Sequence, residues 1–296
     1  MPSEKRARQR AARAQKQAVV ERRRKRRRNG RRGLIALALV AVIVIVVVLI
    51  QSSGSGPKKK SSSPATSSSS STTTTSTFAV PTTQPFNTTA ADPTCPPAKG
   101  SSKRVVWFKH APGDCIKKTS VWDATFSTSV GSFTVKMPAA SSYAAVNNFV
   151  FLALYHYYDG TFFHRVIPGF VVQGGDPTGT GSGGTHHLPG YSFTGNYPPA
   201  SCKTNVTAAC YQVGDLVMAN SNPNPQVQDA STDGSQFFFV LPGGQTTLNG
   251  EPTYTIFGQV TSGLSVVEKI GSLGTSSGTP KTKVYLLKVT VTQVKA

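Results

Sequence analysis

The chain has 296 residues, enough for one or two domains, and a formal net charge of +20. That charge is concentrated at one end: residues 1–33 hold fifteen Lys and Arg against Glu4 and Glu21, whereas from residue 61 onward fourteen Lys and Arg nearly balance ten Asp and Glu. A nucleic-acid-binding fold carries its positive charge on the domain itself, so this distribution argues against one.

In chain order, the basic stretch 1–33 is followed by LIALALVAVIVIVVVLI at 34–50, an uncharged apolar run of seventeen residues. That length is at the short end of a bilayer-spanning helix. The Arg-rich block ahead of it places the N-terminus in the cytoplasm and everything after Ile50 outside, by the positive-inside rule. A cleaved signal peptide competes with this reading, but its apolar region is usually about 7–15 residues and ends in a small-x-small site. No such site follows here. The expectation is therefore an uncleaved single-pass anchor in the cell membrane with an extracytoplasmic C-terminal part. Topology and attraction to anionic headgroups then account for the basic tail, and no nucleic-acid partner is expected.

Residues 51–94 are dominated by Ser, Thr and Pro, as in SSSPATSSSSSTTTTST. Too little apolar surface is available there to offset the entropy of ordering, so the stretch reads as a disordered linker. As a flexible coil it would reach about 35–40 Å.

A lead-in segment follows at 95–118, containing Cys95 and Cys115; the other two cysteines are Cys202 and Cys210. An even number beyond the anchor favours disulfides. Pairing neighbours in sequence gives Cys95–Cys115 and Cys202–Cys210, one of three connectivities. Zinc is the alternative, but no CxxC or Cys/His spacing supports it, and no metal or cofactor is expected.

From residue 119 to 296 the pattern is that of a folded domain. VWDATFST (121–128) and SFTVKMP (132–138) read as strands around Ser129-Val130-Gly131. Val146, Phe149, Val150, Ala153 and Leu154 then recur at helical spacing, the mark of an amphipathic helix. Short β runs follow in TFFHRVI, GFVVQG, GDLVMAN, SQFFFVL, YTIFGQV and VYLLKVTVTQV, with a second helix over LSVVEKIGSL (264–273). Strands between turn signals, with only two helices, predict a mainly β fold closed into an antiparallel barrel.

FFHRVIPGFVVQGGDP (162–177) sets His164, Arg165 and Gln173 among bulky apolar residues. A buried unpaired charge costs several kcal/mol, so Arg165 needs a partner or a groove. Taken alone, it fits an ion pair with Asp159 or Asp176 as well as a functional cation. His164 is its strand neighbour and therefore points to the opposite face, where a structural role suits it.

YYDGTFFHRVIPGFVVQGGDPTGTGSGG (157–184), with LVMAN (216–220), GSQFFF (234–239), TLNG (247–250) and YTIFGQV (254–260), resembles the cyclophilins, which are peptidyl-prolyl cis–trans isomerases. The order of anchor, linker and CPPAKGSS lead-in further resembles membrane-tethered cyclophilins of Gram-positive, actinobacterial-type bacteria. The first resemblance implies a closed eight-stranded antiparallel barrel capped by two α-helices. It also implies the activity: rotation of X-Pro bonds in unfolded or newly exported proteins, by a monomer. Arg165 and Gln173 take the catalytic positions. Phe170, Val171, Phe238 and Leu248 form the wall of the proline pocket, and Ala219, Asn220, Gln236 and Tyr254 complete the peptide groove.

The sequence departs from the family pattern in three places. Thr247 stands where tryptophan is usual in cyclosporin-sensitive members, so weak cyclosporin binding is expected. Tyr254 stands where histidine is usual, beyond extra residues after Gly250. The 221–233 loop is lengthened, and 186–211 is an insertion without a readable role. If Tyr254 and the long loop obstruct the pocket, the alternative is a non-catalytic peptide-binding module or holdase.

Gly179, Gly181 and Gly184 satisfy GxGxxG but open no helix, so a tight loop beside the groove is expected rather than a dinucleotide site. The adjacent pair His186-His187 lacks the spacing of helical zinc ligands.

Overall fold

The computed structural model describes residues 87–183, 187–221 and 232–294. The tail, the apolar run 34–50, most of the linker, His186 and the middle of the long loop lie outside the described residues. Among those described, no helix is long and apolar enough to cross a membrane.

The domain is built on strands β1 (Val121–Thr128), β2 (Gly131–Pro138), β3 (Thr161–Phe162), β4 (Arg165–Ile167), β5 (Val171–Gly174), β6 (Asp215–Met218), β7 (Phe237–Val240), β8 (Ile256–Ser262) and β9 (Tyr285–Gln293). All nine join one antiparallel sheet in the order β3-β9-β1-β2-β8-β6-β7-β5-β4. The expected closed eight-stranded barrel is corrected by this order: the sheet is a curled half-barrel with β3 and β4 at its edges. The physical reason is that Phe163 and His164 break the run TFFHRVI into two short strands whose outer edges do not pair with each other.

Among the described residues three α-helices accompany the sheet, where two were expected: α1 (Tyr143–Leu154), α2 (Gly244–Gly250) and α3 (Leu264–Ser272). α1 crosses the concave face, and its aromatic and branched residues pack on Phe126, Phe237 and Phe257. Its expected amphipathic character gives way to burial from Ala145 through Ala153, because the lead-in covers its other side. Asn147 fixes that cover: its Oδ1 accepts from the Cys115 and Ile116 amides at 2.9 and 3.2 Å, and its Nδ2 donates to Gly113 O at 2.9 Å.

The lead-in thus shares the core of the domain. Val106 and Phe108 are buried, and the Phe108 ring lies 4.9 Å from that of Phe151. Packing reaches back into the stretch read from composition as linker. Ala91 bridges Phe108 in parallel, and Asn87 Oδ1 accepts from the Val106 and Trp107 amides. The two disulfides are Cys95–Cys115 and Cys202–Cys210, as nearest-neighbour pairing expects.

Strand alternation divides the apolar residues between two faces. Val166, Val172, Leu216, Met218, Phe237 and Phe239 enter the main core. Val171, Val217, Phe238 and Val240 point the other way and form a second cluster with Tyr211 and Leu248.

Candidate active site

The second face is where the predicted site residues converge. Arg165 on β4 lies directly opposite Gln173 on β5, and Gln173 lies opposite Phe238 on β7. Residues opposite one another in a ladder share a face, so parity brings the cation, the amide and the aromatic ring together. Between β4 and β5, the turn Pro168-Gly169 returns the chain with Gly169 at φ 71°, a conformation suited to glycine. The turn brings the Phe170 ring within 5.8 Å of the Arg165 guanidinium carbon, a cation–π contact.

A run of side-chain hydrogen bonds orients the guanidinium. Arg165 Nη1 donates to Gln173 Oε1 at 3.2 Å, Gln173 Nε2 donates to Gln236 Oε1 at 3.1 Å, and Gln236 Nε2 donates to Gly181 O at 2.8 Å. Among the described residues Arg165 meets no carboxylate within ion-pair distance. The two acids that could have paired with it are engaged elsewhere. Asp159 accepts from the Val289 amide and contacts His156, while Asp176 accepts from the amides of Thr178, Thr180, Gly181 and Gly183. Burial works against the Asp176 charge, yet the bonds from Thr178, Gly183 and Gly181 hold its pKa below the usual carboxylate value.

Asp176 is therefore the hub of the glycine-rich loop. Gly179 sits at φ 65° with no room for a side chain, since a Cβ there would overlap the Phe162 ring. Gly184, the last glycine of that pattern, lies outside the described residues. His164 does not turn into the apolar core as strand alternation suggests: it lies between β3 and β4, half-buried, with its ring against Gly181 of the glycine-rich loop, and burial lowers its pKa, so it stands neutral at pH 7.

An apolar cup is formed by Val171, Phe238 and Leu248, with Phe170, Tyr254 and Ala219 packed against them. Phe238 and Tyr254 meet edge to face, ring centroids 5.4 Å apart at 86°. Leu248 is delivered by α2, a helix that the sequence pattern did not predict. Its seven residues, GQTTLNG, are too few and too polar to show a helical period. Beside the cup lies a polar groove of about 520 Å³, bordered by Gln173, Gln236, Ala219, Asn220, Pro189 and Tyr191. Gln173, which lies opposite Phe238, thus borders both compartments. Ser221 and Thr232, the described ends of the long loop, also line this groove. The Asn220 side chain is tied back, donating to Thr253 O at 2.9 Å.

Sequence reading missed Tyr211 and Asn249, which lie behind the cup, and Tyr191, which walls the groove. Tyr191 donates its hydroxyl to Asn148 Oδ1 at 2.6 Å, while Asn148 Nδ2 donates to Gly234 O at 2.8 Å. A buried asparagine pair at 147 and 148 within an apolar helix was the available signal, since buried amides need partners. Among the described residues no cluster of three metal-ligating side chains occurs.

A half-buried, oriented cation beside an apolar cup and a polar groove is an arrangement suited to holding a peptide and polarising one of its bonds. A family model described as cyclophilin-type peptidyl-prolyl cis–trans isomerase matches residues 124–291. The chain belongs to that family, and peptidyl-prolyl cis–trans isomerisation is its activity. It is 42% identical over 155 residues to the peptidyl-prolyl cis-trans isomerase-like 1 of Aspergillus niger, covering 52% of this chain and 85% of the relative. It is 39% identical over 155 residues to the peptidyl-prolyl cis-trans isomerase CYP18-2 of Arabidopsis thaliana, covering 52% and 84%. A cyclophilin-type isomerase structure from Cryptosporidium parvum aligns with a TM-score of 0.46 at 26% identity, covering 59% of this chain and 99% of that one. These relatives are eukaryotic, and the similarity lies in the catalytic domain. They give no support to the resemblance to anchored Gram-positive proteins, which rests on the residues ahead of that domain.

Proposed function

We propose that the chain isomerises X-Pro bonds in unfolded or newly exported polypeptides, with Arg165 stabilising the twisted prolyl amide. The planar amide resists rotation by about 18–20 kcal/mol because of its partial double bond. At the twisted geometry conjugation is lost and the prolyl nitrogen regains a lone pair. A fixed cation near that nitrogen favours the twisted state over the planar one, which is the differential binding catalysis requires. The carrying observation is the Arg165–Gln173 hydrogen bond beside the cup. The guanidinium is oriented by a neutral amide and keeps its whole charge for the substrate. Phe170, Phe238, Leu248 and Tyr254 hold the proline ring, and Gln236 with the main chain of Asn220 engages the flanking peptide. The edge-to-face contact of Tyr254 with Phe238 makes it a wall of the cup rather than a plug, which favours catalysis over passive holding. Prolyl isomerisation of a short X-Pro peptide by the purified chain, beside its Arg165→Ala variant, tests this mechanism. Equal rates for the two proteins would remove Arg165 from it.

For location, we propose that residues 34–50 anchor the chain in the cell membrane, with the isomerase domain outside. The apolar run with its Arg-rich flank and the two disulfides support this, since disulfides persist in oxidising compartments. Recovery of a mature chain from the medium, starting beyond Ile50, would overturn it.

A further inference from the structure

Tyr211 closes the 186–211 insertion, immediately after Cys210, and is fully buried. Its hydroxyl makes two hydrogen bonds, both with the main chain of Tyr254: it donates to Tyr254 O at 2.7 Å and accepts from Tyr254 N at 2.8 Å. Burial drives its pKa up, so the hydroxyl keeps the proton it donates. Tyr211 is itself held in the same reciprocal manner. Asn249 Oδ1 accepts from Tyr211 N at 2.9 Å, and Asn249 Nδ2 donates to Tyr211 O at 3.2 Å.

Tyr254 needs such support because it lies between α2 and β8, where the β6–β8 register shifts between Leu216 and Val217. Its amide and carbonyl are paired to a side chain instead of to a strand. The insertion around Tyr211 is braced in turn. The 3-10 turn Ala200–Lys203 packs against α2, and the Cys202–Cys210 bond closes the loop that ends at Tyr211.

We propose that Tyr211 is a positioning residue for the proline cup. It fixes the Tyr254 main chain so that the Tyr254 ring stands against Phe238, and the Cys202–Cys210 loop is the brace that holds Tyr211 there. This gives the insertion a role in the reaction, and it rests on the reading of Tyr254 as a cup wall. Tyr211 touches no substrate; it acts through a ring whose place in the family pattern is usually filled by histidine.

The test uses the full chain and a short X-Pro peptide. Tyr211→Phe keeps the ring and deletes the hydroxyl. The expected result is a fall in kcat/KM of fivefold or more, carried mainly by a rise in KM, because a displaced wall weakens binding of both planar and twisted substrate. In a Tyr254→Ala background the same substitution should change kcat/KM by less than twofold, since no ring is left to position. Should Tyr211→Phe fold poorly, the double variant Cys202→Ser/Cys210→Ser reaches Tyr211 by another route and should raise KM in the same sense. An unchanged KM in that variant, a Tyr211→Phe protein within twofold of wild type, or an equal loss in both Tyr254 backgrounds overturns the proposal. An inactive wild-type chain overturns the activity itself, and this inference with it; an active wild type indifferent to Tyr211→Phe overturns this inference alone.

Discussion

Arg165 and Gln173 face each other across the β4–β5 ladder, and the guanidinium donates to the amide oxygen at 3.2 Å. A carboxylate in place of that amide would neutralise the cation and remove its pull on a developing lone pair. Gln173 therefore orients the charge without neutralising it.

Arg165→Ala should lower kcat/KM by about 10²–10³, the range lost when one preorganised electrostatic group is deleted. Arg165→Lys should recover little of this, because an ammonium lacks the planar fork that Gln173 holds. Thermal unfolding of both variants is expected within a few degrees of wild type, since Arg165 is only partly buried. A protease-coupled isomerisation assay reads the first outcome and calorimetry the second.

Gln173→Leu should reduce kcat/KM about tenfold, as the loss of one orienting hydrogen bond of roughly 1.4 kcal/mol implies. It also frees the Gln236 side chain, which keeps its bond to Gly181 O alone. The loss should fall most heavily on substrates with bulky residues before proline, because Gln236 borders the polar groove. A panel of Xaa-Pro peptides measures this; a uniform loss across the panel would contradict it.

Two buried acids make stability fall as pH rises. Burial pushes Asp215 up to about 7 against a bond from Gln212, and Asp233 up to about 7 against bonds from Thr255 and Asn220. The folded state thus holds protons that the unfolded chain releases near the ordinary carboxylate value. The stability they contribute is complete below about pH 4 and is lost as pH rises through about 7. Denaturation by urea at pH 5 and pH 8 should show the higher midpoint at pH 5, with Asp233→Asn reducing the difference. Asp176 has the opposite sign and acts at more acidic pH, where its loss of charge unfastens the glycine-rich loop.

The disulfides should differ in what they protect. Opening Cys95–Cys115, with a sequence separation of 20, should cost about 3 kcal/mol in the chain-entropy description, and Cys202–Cys210, with a separation of 8, about 2.5 kcal/mol. Calorimetry of the two paired Cys→Ser variants checks the order.

The site was legible in sequence to the extent that parity determines it. In FFHRVIPGFVVQGG, the two-residue period places Arg165 and Gln173 together once a turn is read at Pro168-Gly169. The aromatic run QFFFV likewise assigns Phe238 to the face opposite Phe237 and Phe239. Tyr211 was not legible, because it acts across 43 positions by hydrogen bonds that follow no period. Helix α2 was too short to display one, and the break at Phe163-His164 that leaves the sheet open depends on edge pairing. The lead-in did carry a signal: Val105-Val106-Trp107-Phe108 is an apolar cluster inside a polar stretch, and in the structure Val106 and Phe108 are core residues.

Both tryptophans of the chain lie away from the proline cup. Trp122 is on β1 with its indole N–H donating to Ser120 Oγ, while Trp107 lies against Gly190 at the rim of the polar groove. With Thr247 where the family usually places an indole, a proline entering the cup meets no fluorophore at that position. Tryptophan emission from this protein is therefore silent on the cup: Trp107 reports on the lead-in where it meets Gly190 at the edge of the groove, and Trp122 on the integrity of the sheet.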